Sequence, residues 1–137
     1  MRRSIGDGIC IESSLVLEAL RGDAGAGDLF RRWKASGKEL VAPALLEYEV
    51  MAWAESQEEI RQVVANYHKL GIKLFQGRAV SERAGSLMPR LRWREAVYLA
   101  IAQVLACDIW TADSVFAERV GDFWSWVHVY HRDAIDL

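Results

Sequence analysis

The chain has 137 residues, 52% of them apolar, and a formal net charge of −2. That length suits a single domain spanning 1–137 with one real core, and the near-neutral charge excludes a global pull toward nucleic acid or anionic membrane, so any nucleic-acid site must be a local patch. No apolar run approaches the roughly 18 residues a membrane helix needs. The basic start Met1-Arg2-Arg3-Ser4 is not followed by the apolar segment of a signal peptide. The two cysteines, Cys10 and Cys107, show no metal-ligand spacing. A reduced, cytoplasmic protein with no membrane association is expected.

In chain order, Gly8-Ile9-Cys10-Ile11 is an apolar strand stopped by Glu12-Ser13-Ser14, whose serines suit the start of a helix over 15–21. The glycine-rich stretch 22–27 reads as a turn, and Asp28 opens a helix to about Ser36, ended by Gly37. A second strand covers 39–42, and Pro43 suits the first turn of a helix reaching Glu55. Ser56-Gln57-Glu58-Glu59 marks another helix start, with its end near Leu70. A strand at 72–75, a helix over 78–88 and the clearest helix, 93–106, follow. The chain closes with a strand at 108–111, a helix over 114–120 and a strand at 126–130. Strands alternating with helices predict an α/β fold of three layers, α/β/α, around a mostly parallel sheet.

Four carboxylates stand out against this pattern. Glu12 and Asp113 directly follow strands, where ligands bind in open parallel sheets. Glu49 falls inside the apolar stripe of Leu45, Leu46, Val50 and Trp53, and Glu95 shares a helix side with Tyr98, Leu99 and Ala102. For any one of them a salt bridge or a helix cap is the commoner explanation. Lone ionised carboxylates are costly to bury, and a shared divalent metal would satisfy all four. An all-oxygen donor set suits Mg²⁺ or Mn²⁺, and such a centre supports hydrolysis, often of phosphodiesters. The alternating Arg90, Arg92 and Arg94 with Trp93 between them suggest a phosphate clamp and a stacking ring beside that site.

Four motifs then come together. They are Ile11-Glu12-Ser13-Ser14, Val41-Ala42-Pro43 with Glu49 on the helix that follows, Glu95-Ala96-Val97-Tyr98-Leu99-Ala100-Ile101-Ala102, and Ile109-Trp110-Thr111-Ala112-Asp113. In order and spacing they resemble the PIN domain, the metal-dependent ribonuclease fold of VapC-type toxins in toxin–antitoxin pairs. The resemblance runs from Ile9 to about Tyr130. It implies endonucleolytic cleavage of RNA, with Glu12, Glu49, Glu95 and Asp113 as catalytic residues. Glu12, Glu95 and Asp113 would hold Mg²⁺ or Mn²⁺, Ser14 and Thr111 would support them, and Arg92 and Arg94 would contact RNA. It also implies a cognate antitoxin and a homodimer. Glu12 and Glu95 stand where the family usually has aspartate, each moving its carboxylate out by about 1.5 Å at a site sensitive to displacement. The alternative expectation is therefore a catalytically degenerate PIN domain that binds RNA or protein. A haloacid-dehalogenase-type phosphatase is disfavoured because Glu12-Ser13-Ser14 lacks its Asp-x-Asp pair.

Overall fold

The structure, a computed structural model, describes residues 8–131. The basic start Met1-Arg2-Arg3-Ser4 lies outside them. Among the described residues, five strands form one wholly parallel sheet: β1 (Gly8–Ile11), β2 (Glu39–Pro43), β3 (Lys73–Phe75), β4 (Asp108–Thr111) and β5 (Val127–Val129). Their order is β3-β2-β1-β4-β5. Helices α1 (Ser13–Leu20), α2 (Ala24–Ala35), α3 (Leu45–Ala54) and α4 (Ile60–Lys69) serve the crossovers from β1 to β2 and from β2 to β3. Helices α5 (Arg78–Leu87), α6 (Trp93–Leu105) and α7 (Ser114–Gly121) serve those to β4 and β5. Right-handed crossovers running in opposite directions put the two groups on opposite faces. The expected three-layer α/β/α architecture is what results.

The strands are buried because helices cover both faces; Cys10, Ile11, Ala42 and Ile109 are fully enclosed. Helix α6 packs on β1, β2 and β4 and against α5 and α7, and buries Tyr98 through Ala102 without a break. Across the sheet, Trp33 of α2 meets Trp110 of β4 edge to face at 5.4 Å.

Three boundaries differ from the sequence reading. Helix α2 starts at Ala24, not Asp28, because the Asp23 carboxylate accepts the Ala26 N–H at 3.0 Å and nucleates the helix through Gly25 and Gly27. Pro43 ends β2 instead of opening α3. Its missing N–H falls past the last registered β1–β2 pair, Cys10 with Val41, where no ladder bond is lost. Helix α4 begins at Ile60 after a turn, later than the Ser56 signature implied. Among the described residues no helix is long and apolar enough to cross a membrane.

Candidate functional site: a carboxylate cluster closed by an arginine

Strand order reverses direction between β1 and β4, so the carboxyl ends of these two strands form the crevice where open α/β sheets bind ligands. Glu12 leaves β1 there and is 1% exposed. As N-cap of α1, its Oε1 accepts the Ser14 N–H at 3.1 Å. The same oxygen accepts the hydroxyls of Ser14 and, at 2.6 Å, of Thr111. Ser14 Oγ in turn accepts the Ala112 N–H at 2.9 Å, and Thr111 Oγ1 accepts that of Asp113 at 2.9 Å. These bonds tie the ends of β1 and β4 together and fix the orientation of Glu12. Ser14 and Thr111 thus hold Glu12 directly.

The other oxygen of Glu12 meets the Arg94 guanidinium. Arg94 projects from the first turn of α6, and its Nε and Nη2 also bond Glu49 of α3, the latter at 3.2 Å. Nη2 donates further to Ser13 Oγ at 2.6 Å. One turn along α6, Tyr98 donates its hydroxyl to Glu49 at 2.8 Å, and its ring lies 5.2 Å below the guanidinium carbon. Burial pulls the Arg94 pKa down, but the bonds to Glu49 and Glu12 outweigh it and hold the guanidinium above its ordinary value. Burial, reinforced by the Glu49 charge and hydrogen bond, raises the Tyr98 phenol well above its usual range, so this group stays a donor.

The structure brings Glu12 and Glu49 together through Arg94, and it employs the other two acids elsewhere. Glu95 is buried in the first turn of α6, accepts the Arg92 backbone N–H at 3.1 Å and pairs with Arg119 of α7 at 2.9 Å. Asp113 caps α7, its Oδ1 accepting the N–H groups of Val115 and Phe116 at 2.9 and 3.2 Å. Three of the four acids therefore satisfy helix N-termini, which favour negative charge by about 0.3–1 kcal/mol each. Among the described residues no group of three or more His, Cys, Asp or Glu side chains is placed to hold a metal ion. The chemistry of the donor set agrees: both oxygens of Glu12 are fully bonded and a guanidinium supplies the positive charge a divalent ion would bring. As arranged, these residues do not fit Mg²⁺ or Mn²⁺.

Of the expected RNA contacts, Arg94 is committed to the two glutamates, while Arg92 and Trp93 are exposed, Trp93 by 59%. Sequence reasoning missed Ser13, Tyr98 and Arg119. A signal for Tyr98 did exist: Arg94 and Tyr98 stand four apart on one helix, on one face.

No family model matches the chain, and no curated protein does. Solved structures share its fold, two of them as follows. A toxin–antitoxin complex from Klebsiella pneumoniae superposes with a TM-score of 0.74 at 15% identity, covering 90% of this chain and 98% of that one. PAE2754 from Pyrobaculum aerophilum superposes with a TM-score of 0.60 at 14% identity, covering 95% and 93%.

Proposed function

We propose that this chain is a PIN-like domain of the toxin kind, partnered by a cognate antitoxin protein, that binds RNA without metal-dependent cutting. One observation carries the reading: the Arg94 guanidinium stands between Glu12 and Glu49, where a nuclease of this type needs its metal. The fold shared with a Klebsiella pneumoniae toxin–antitoxin complex supports the toxin kind and the antitoxin partner. The exposed Arg92 and Trp93, beside the crevice, support RNA as the ligand, since a cation next to an exposed ring suits phosphate and a stacked base.

A second reading, a Mg²⁺- or Mn²⁺-dependent endoribonuclease acting in the cytoplasm as a homodimer, is favoured by one feature. Glu12 and Glu49 converge on a single cation at the topological switch point, steadied by Ser14 and Thr111. In that reading Glu95 and Asp113 would have to leave Arg119 and the α7 N-terminus to join them.

Labelled RNA incubated with the protein and Mn²⁺ or Mg²⁺, beside Glu49→Gln and an EDTA control, separates the two. We expect no metal-dependent cleavage by the native chain. Cleavage that needs metal and disappears in Glu49→Gln would establish the nuclease and remove the non-cutting proposal.

A further inference from the structure

The chain contains four lysines, Lys34, Lys38, Lys69 and Lys73. All four line one groove of about 330 Å³ at the end of the sheet opposite the carboxylate cluster. Lys34 lies in the last turn of α2, Lys38 sits in the loop before β2, Lys69 ends α4, and Lys73 opens β3. Their separation along the chain hides this; the parallel pairing of β2 with β3 and the helices that precede those strands assemble it. Lys34, Lys69 and Lys73 are exposed and Lys38 is half-buried. The groove adjoins a separate cavity of about 280 Å³ that shares Lys34, Lys69 and Leu70 and adds Arg31 and Asn66 with the apolar Ala19, Leu20 and Phe30.

Helix C-termini explain part of this. A lysine in a last turn offsets the helix dipole, which accounts for Lys34 and Lys69 singly. It does not account for every lysine of an overall acidic chain sharing one groove. The one carboxylate among the described lining residues is Glu39, which pairs with Lys73 at 2.6 Å; Arg31 pairs with Asp28. Among the described lining residues, Lys34 and Lys69 stand beside the Lys73–Glu39 pair, and the apolar part is confined to Leu40 and Leu70. Within the lysine groove itself, point charges with little apolar anchorage suit a phosphate backbone better than an acidic peptide, which would need side-chain pockets.

We propose that this lysine groove binds the phosphodiester backbone of single-stranded RNA. The inference rests on the RNA part of the proposed function and not on its non-cutting part. Binding there is electrostatic and independent of base sequence, since phosphate contacts position a strand without reading it.

The test is fluorescence anisotropy of a labelled single-stranded RNA in EDTA buffer across a salt series, with the native chain, Lys34→Gln/Lys69→Gln and Arg92→Gln. Lys34 and Lys69 are exposed, so the double variant should keep its native melting profile by circular dichroism. We expect it to bind at least about 10-fold more weakly, with a salt slope flatter by about 1.4, from about 0.7 for each single-strand phosphate no longer neutralised. Arg92→Gln should change affinity by less than the double variant. Unchanged binding in the double variant, no binding by the native chain, or a decrease confined to Arg92→Gln would each overturn the groove. So would displacement of RNA by poly-glutamate at equal charge concentration, which would assign the groove to an acidic protein segment. Cleavage in Mn²⁺ together with weakened binding in the double variant would sink the non-cutting reading and leave the groove standing.

Discussion

Arg94 sets the character of the crevice. Without its guanidinium, Glu12 would keep its hydroxyl and amide donors yet lose its only counter-charge at 1% exposure. Breaking a fully buried pair costs about 3–5 kcal/mol. The Arg94 side chain is 30% exposed, so water can partly replace it, and we expect Arg94→Ala to lower stability by about 2–3 kcal/mol in urea unfolding. A loss below about 0.5 kcal/mol, the level of an ordinary surface substitution, would mean that the pair does not hold the crevice closed. The inward-pointing carboxylates were legible in the sequence, because Glu49 interrupts an apolar stripe and Glu12 ends an apolar strand. Their partner was not. Periodicity tells which way a side chain faces, but not which cation arrives from a helix more than 40 residues away. Arg94 looked like one of three alternating loop arginines until α6 turned it inward beside Tyr98.

At the level of elements, each strand was readable because its apolar run is bounded by turn residues, and α6 because its periodicity is strong. Capping decided one of the three boundaries that were missed. Asp23 pulled α2 back through two glycines, each a cost of about 0.5–1 kcal/mol to a helix, and the Ser56 signature failed to open α4. Capping also accounts for the acids: Glu12, Glu95 and Asp113 each end a connection by satisfying the first turn of a helix. Helix α6 ends less comfortably. Its C-cap, Ala106, has φ 56° and ψ 52°, the left-handed region in which a Cβ is disfavoured by about 1 kcal/mol. We expect Ala106→Gly to raise the thermal midpoint, by about 0.5–1 kcal/mol in stability. A lowered midpoint would show that packing around the Ala106 methyl outweighs the backbone strain.

Across the molecule, the sheet separates two kinds of charge. The carboxyl ends of β1 and β4 gather glutamates closed by an arginine, and the amino ends of β2 and β3 gather every lysine. The α/β/α class was legible from alternating elements, whereas the order β3-β2-β1-β4-β5 was not, since strands buried on both faces carry no mark of their neighbours. The lysine groove depended on that order and was invisible without it. In the proposed function a guanidinium, and not a divalent ion, is the resident cation of the crevice. Titrating Mn²⁺ into the protein and following the free-ion signal by electron paramagnetic resonance tests it most directly. With Arg94 in residence, the free Mn²⁺ signal should stay undiminished at stoichiometric concentrations. One ion bound per chain, released by Glu12→Gln or Glu49→Gln, would contradict it.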